Sequence, residues 1–168
     1  MPLTSEVLSK YPAFWFIETG THAGQAIEIA YRLNFEGIVS IELDRHLAGE
    51  AIKKYMDTDN VWIFQGDSAD LLAGILNLKE DSVTFWLDAH GPGNLDVKNC
   101  PLLQELRSIV EYSKSYKVNI LIDDLRLMSK ELLESITLLI SQVPGFVMTY
   151  EDSPIQARDI LAVAGEPE

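Results

Sequence analysis

The stretch Phe14-Trp15-Phe16-Ile17-Glu18-Thr19-Gly20-Thr21-His22-Ala23-Gly24 decides the fold. Four apolar residues in a row are followed by an acid and a turn holding two glycines. Beyond the turn, Ala26, Ile27, Ala30 and Leu33 recur at helical spacing. This reads as a buried strand at about 14–18, a glycine-containing turn and a helix through about Leu33. Such a turn lets the backbone approach a ligand closely, and the helix start offers free N–H groups.

Working outward, the same motif of an apolar run ending in an acid returns four times. Ile38–Ile41 leads to Glu42, Val61–Phe64 to Gly66-Asp67, Val83–Leu87 to Asp88, and Val118–Ile122 to Asp123-Asp124. Short, largely apolar runs of this kind read as strands buried on both faces, and the intervals are long enough for crossover helices. Helices are expected at about 45–56, 68–78, from Pro101 through Val110, and through Leu132, Leu133, Ile136, Leu139, Ile140 and Val143 until Pro144-Gly145. The fold class is therefore α/β, a doubly wound and mostly parallel sheet. Every parallel strand brings its C-terminal acid to one edge, where ligands bind at the reversal of strand order. Phe146–Tyr150 and Ile160–Val163 are joined too briefly for a helical crossover, so they are expected as an antiparallel pair at a sheet edge. Gly91 to Asn99 reads as a turn-rich loop.

Composition narrows the function. The 168 residues, 47% of them apolar, suit one compact domain spanning 1–168 with no linker. A formal charge of -13 repels phosphate backbones and anionic lipid, which argues against nucleic-acid and membrane partners. No run approaches a bilayer span, the N-terminus lacks signal-peptide features, and the single cysteine, Cys100, cannot form an internal disulfide. A reducing, cytoplasmic setting is expected.

The spacing Gly20-x-x-x-Gly24 fits neither the dinucleotide fingerprint nor a phosphate-binding P-loop. With Glu18, Glu42, Gly66-Asp67 and Asp88 closing successive strands, it resembles the motif series of class I S-adenosylmethionine-dependent methyltransferases from about Phe14 to Val163. Phe85-Trp-Leu-Asp-Ala-His90, Cys100-Pro-Leu-Leu-Gln-Glu-Leu106 and Ile120-Leu-Ile-Asp-Asp124 more narrowly resemble macrocin and catechol-type O-methyltransferases. The resemblance implies a seven-stranded sheet of order 3-2-1-4-5-7-6 with an antiparallel edge strand. It also implies methyl transfer from S-adenosylmethionine to a hydroxyl of a small molecule.

Under that resemblance the cofactor would be held by Glu18, Thr19, Gly20, Thr21 and Gly24, with Ser68 and Asp88 beside them. Glu42 would accept from the ribose hydroxyls and Asp67 from the adenine amino group. Asp88, Asp123 and Asp124 would hold Mg²⁺ or another divalent cation. Asp88 and His90 would be catalytic, with His90 as the general base.

Plainer roles stand beside these: a helix cap or turn for Asp67, a solvated strand end for Glu42, a strand end or cap for Asp124, and a loop-ordering histidine for His90. Trp15, Trp62 and Trp86 read as packing residues, Cys100 as an inert one, and Lys98 as solvated. Two departures are visible. His22 stands where many members have glycine, and Gly91-Pro92-Gly93 stands where catechol-type enzymes carry a lysine. About 13 residues precede strand one, fewer than many members use to cover the substrate. This keeps open a non-catalytic binding or regulatory protein of the same fold, or closure of the site in a homodimer. A nicotinamide-dependent oxidoreductase would suit Glu42 but not the glycine spacing.

Overall fold

The computed structural model describes residues 3–91 and 93–166; Pro92 of the expected loop lies outside them. Seven strands form one sheet in the order β3-β2-β1-β4-β5-β7-β6. They are β1 (Trp15–Thr19), β2 (Gly37–Glu42), β3 (Val61–Gln65), β4 (Val83–Leu87), β5 (Val118–Ile122), β6 (Val147–Glu151) and β7 (Ile160–Gly165). The first five pair in parallel, whereas β7 runs antiparallel to both β5 and β6, as the short connection required. Six helices accompany them: α1 (Ser5–Leu8), α2 (Gln25–Arg32), α3 (Arg45–Tyr55), α4 (Ser68–Leu76), α5 (Leu102–Ser113) and α6 (Lys130–Ser141).

Alternation along each strand divides the core into two layers. Ile17, Val39, Phe85, Ile120 and Ile122 face one side and meet the apolar stripes of α4, α5 and α6. Phe16, Ile38, Trp86 and Leu121 face the other and meet Ala26, Ile27 and Ala30 of α2. Four acids or hydroxyls start helices by capping. Thr4, Asp44, Asp67 and Ser129 each accept from a backbone N–H in the following turn.

The expectation that every run is buried on both faces fails at β3. Trp62 and Phe64 there are 41% and 39% exposed. β3 is an edge strand, so its apolar run is half-covered: Trp62 packs on Trp15, with Lys79 Nζ over both rings. At the other edge, β6 leaves Val147 and Tyr150 exposed.

No helix is expected before strand one, yet α1 forms there. Four residues cannot sustain a helix alone, so packing holds it. Leu3, Val7 and Leu8 are buried with Phe16, Trp86 and Leu121 on the α2 side of the sheet. Burial of such side chains contributes roughly 1.5–3 kcal/mol each. The segment behind α1 satisfies polar groups inside that face: Thr84 Oγ1 donates to the Tyr11 carbonyl and Asn119 to the Pro12 carbonyl. Tyr11 and Lys10 then reach Glu151 of β6 at 2.8 and 2.7 Å.

Candidate functional site

The C-terminal tips of β1–β4 open onto a cleft of about 1050 Å³. Its walls carry Glu18, Gly20, Thr21, Glu42, Asp67, Ser68, Asp88 and His90 among others. Thr19 and Gly24 do not line it.

Gly20 is fixed by its neighbours rather than by a ligand. Its φ is +87°, and a Cβ there would stand 2.5 Å from the Asp88 carbonyl oxygen. The β1 turn thus lies directly against the β4 tip. Gly24 has φ +73°, opens α2, and is covered by the Tyr55 hydroxyl, which donates to its carbonyl.

Glu18 is buried in the cleft floor and accepts from Ser40 Oγ at 2.6 Å, which in turn lies 2.6 Å from Thr21 Oγ1. Among the described residues no basic side chain pairs with it. Burial therefore pushes its carboxyl up to about 8, against the Ser40 hydrogen bond and with added repulsion from Asp88 and Glu42. A cation beside Glu18 would relieve that cost, which suits the ammonium and sulfonium expected there.

Glu42 closes β2 and uses both oxygens to order the loops on either side. Oε2 accepts from the His22 N–H at 2.9 Å and Oε1 from the Asp44 N–H at 2.8 Å. Each oxygen keeps a second lone pair for a ligand. His22, at φ +45°, lines the turn. Asp67 caps α4 through Oδ1, which accepts from the Ala69 N–H at 2.9 Å, and it is exposed at the cleft wall.

Beyond Glu18 the cleft meets β4 and β5. His90 Nε2 lies 3.3 Å from Asp88 Oδ1 and 3.4 Å from Asp124 Oδ2, while its Nδ1 lies 3.3 Å from the Gly91 carbonyl. The Nε2 contacts are close by distance but lack the alignment of hydrogen bonds. Burial raises Asp88 to about 6, with His90 opposing and Asp124 adding to the rise.

Of the expected metal-binding acids, Asp88 and Asp124 come together, with His90 as third member. Asp123 instead groups with Asp124 and Asp159. It is wholly buried; its Oδ1 accepts from the Asp124 N–H at 2.7 Å and its Oδ2 has no partner. Burial, then repulsion from Asp88 and Asp124, lifts it to about 8.

Three residues here escaped the sequence reading. Arg126 ion-pairs with Asp124 Oδ1 at 2.5 Å and with buried Asp159, joining the β5 tip to the β7 approach. No spacing pattern could have linked residues 33 apart. Glu105 is buried on α5 facing Ser68 and Thr19, and burial raises it to about 7. Its Oε1 and Thr19 Oγ1 lack hydrogen-bond partners. An acid within the stripe Leu102, Leu106, Ile109 was a readable signal for it. The 91–99 loop is pinned rather than free at Leu95, whose N–H donates to the Leu127 carbonyl and whose carbonyl accepts from Ser129. Lys98 and Cys100 border the cleft.

Neither a protein-family model nor a curated protein sequence matches the chain. Solved structures do. One similar structure, assigned as a caffeoyl-CoA O-methyltransferase from Staphylococcus aureus, has a TM-score of 0.63 at 14% identity, covering 96% of this chain and 80% of that one. An rRNA methylase from Streptococcus thermophilus gives 0.62 at 12%, covering 98% and 94%. An O-methyltransferase of neocarzinostatin biosynthesis, in complex with S-adenosyl-L-homocysteine and 1,4-dihydroxy-2-naphthoic acid, gives 0.62 at 13%, covering 95% and 52%. At these identities the likeness establishes the fold: this chain has the Rossmann-like fold of class I methyltransferases, in the strand order expected.

Proposed function

We propose that the chain is an enzyme that transfers a methyl group from S-adenosylmethionine to a hydroxyl of a small molecule, assisted by a divalent cation. The observation that carries this reading is one cleft lined by Glu18, Glu42, Asp67 and Asp88 from four adjacent strand tips, with Glu18 buried and without a basic partner. The bound cofactor would supply an electrophilic methyl group on a sulfonium. Glu18 would offset the positive charge of its methionine part, and the Gly20–Thr21 turn would hold that part through the backbone. Glu42 would use its remaining lone pairs on the ribose, and Asp67 the oxygen not engaged in capping on the adenine amino group. Asp88 and His90 stand where the acceptor hydroxyl would lose its proton, next to the donor half of the cleft.

A small, uncharged or cationic acceptor fits the chain's charge of -13 better than a nucleic acid does. No helix among the described residues is long and apolar enough to cross a membrane. A cytoplasmic setting and a single domain over 1–168 belong to the same proposal.

Calorimetric titration with S-adenosylhomocysteine tests the donor half. Binding is expected for the wild-type protein and should weaken at least about tenfold in Glu42→Ala, which removes two hydrogen-bond acceptors. No binding by the wild-type protein would end the reading.

A second reading has an observation of its own. None of residues 3–14 lines the cleft, because α1 packs on the sheet face instead, so this segment does not shield the donor from water. A binding or regulatory protein with the same cofactor would bind S-adenosylhomocysteine yet transfer no labelled methyl group to a panel of catechols and related hydroxylated compounds. A homodimer is the arrangement that would supply a cover.

A further inference from the structure

We infer that Asp88, His90 and Asp124 form a site for a transition-metal dication such as Mn²⁺, Co²⁺ or Zn²⁺, bound ahead of Mg²⁺, with Asp123 outside the ligand set. The inference rests on the methyl-transfer reading only for what the ion would do; the site itself rests on the side chains.

The distances decide between an ion pair and a shared ion. Charge-assisted N–H···O bonds run at about 2.7–2.9 Å. The His90 contacts, at 3.3 and 3.4 Å, are too long for that and poorly aligned. Two ligands each ~2.1 Å from one metal, however, sit roughly 3.0–3.4 Å apart in octahedral or tetrahedral arrangement. The three ligand atoms all lie within 4.8 Å of one another.

His90 supplies the independent observation. Its side chain is only 9% exposed, and Nε2 has no hydrogen-bond partner although it points between two carboxylates. Nδ1 faces the Gly91 carbonyl at 3.3 Å. A proton on Nδ1 donated to that carbonyl leaves the Nε2 lone pair aimed at Asp88 and Asp124, the orientation that ligating histidines adopt. Three electron-rich atoms then converge, and the positive group beside them, Arg126, lies on the other oxygen of Asp124.

The surroundings leave these atoms free for the task. Arg126 engages Asp124 through Oδ1 and so spares Oδ2. Asp124 holds the left-handed conformation, φ +58°, and its N–H is tied to Asp123 Oδ1. Asp123 thereby acts as a positioning residue for Asp124, with its own oxygens turned toward the Asp124–Asp159 group. One imidazole nitrogen and two carboxylate oxygens favour borderline dications over Mg²⁺, which prefers an all-oxygen shell. Asp88 and His90 line the cleft, so a coordinated acceptor hydroxyl would lose its proton more readily and release it to solvent. In that state His90 is a ligand and not the base.

Titration of the metal-stripped protein with MnCl₂, CoCl₂ and MgCl₂ tests this. Mn²⁺ and Co²⁺ should bind at one per chain, about tenfold or more tighter than Mg²⁺, and His90→Ala should lose at least about tenfold for Mn²⁺ while Mg²⁺ changes little. Asp123→Asn should stay within about threefold of wild type for Mn²⁺. Should His90→Ala not fold, the wild-type Co²⁺ complex still answers, since a ligating His90 gives a paramagnetically shifted imidazole N–H resonance. Equal affinity for Mn²⁺ and Mg²⁺, loss of Mn²⁺ binding in Asp123→Asn, or a Co²⁺ complex with no shifted imidazole signal would each overturn the assignment. S-adenosylhomocysteine binding, measured separately without metal, reports on the methyl-transfer reading alone, so either can fail without the other.

Discussion

The two halves of the cleft are built on opposite principles. On the β1–β3 side the loops are ordered by the site acids themselves: Glu42 holds the His22 and Asp44 N–H groups, and Asp67 caps α4. On the β4–β5 side the groups crowd together unsatisfied, with His90 Nε2 and Asp123 Oδ2 lacking hydrogen-bond partners. Glu18 sits at the boundary, buried and short of a counter-charge. The difference teaches that the β1–β3 side satisfies its acids in the course of folding, whereas the β4–β5 side leaves buried polar atoms without partners, an electrostatic cost that folding does not relieve.

The strongest way to break this contrast is at the point where the halves touch. Gly20→Ala would force a Cβ to 2.5 Å from the Asp88 carbonyl at a φ of +87°, so a loss of about 3 kcal/mol or more is expected in urea unfolding. A variant as stable as wild type would show that the turn and the β4 tip are not packed as described.

Glu42→Gln sharpens the contrast on the β1–β3 side. An amide keeps one acceptor oxygen and turns the other position into a donor facing an N–H, so stability should fall by roughly 1–2 kcal/mol. If the melting temperature is unchanged, Glu42 does not order the two loops.

The buried acids predict a slope with pH. Glu105 rises to about 7 and Glu18 to about 8 in the folded chain, above their usual 4.5, so the folded state binds more protons than the unfolded one. Stability should therefore fall as pH rises from about 5 toward 8, by up to ~1.4 kcal/mol per pH unit for each group while it titrates. Glu105→Gln should flatten the part below about 7, read from urea midpoints at several pH values. A slope identical to wild type would mean Glu105 ionises freely.

The smallest effect belongs to Asp67. Asp67→Ala should cost about 1 kcal/mol by loss of the α4 cap, and Asp67→Asn only a few tenths, because an amide oxygen caps nearly as well. Equal losses in both variants would point to a role for the charge itself.

These contrasts explain what could be read from the chain. The strand tips were legible because buried parallel strands are largely apolar, and the acids that end them stand within three positions of the last apolar residue. Edge strands obey a weaker rule, which is why Trp62 and Phe64 looked buried and are half-exposed. On the β1–β3 side Asp67 acts within two residues of its own position and Glu42 does so for Asp44, whereas its bond to the His22 N–H joins two strand tips that the sequence separates by 20 positions. The β4–β5 side depends on a partner distant in sequence, Arg126 with Asp159, and on a left-handed residue, Asp124, that no spacing announces.

The bridge from Lys10 and Tyr11 to Glu151 spans 141 and 140 positions. During synthesis Lys10 and Tyr11 leave the ribosome long before Glu151 does. Closing so long a loop is slow. The clasp on Glu151 should thus close last on this face, after Leu3, Val7 and Leu8 already rest on the β1–β5 sheet beside Phe16, Trp86 and Leu121.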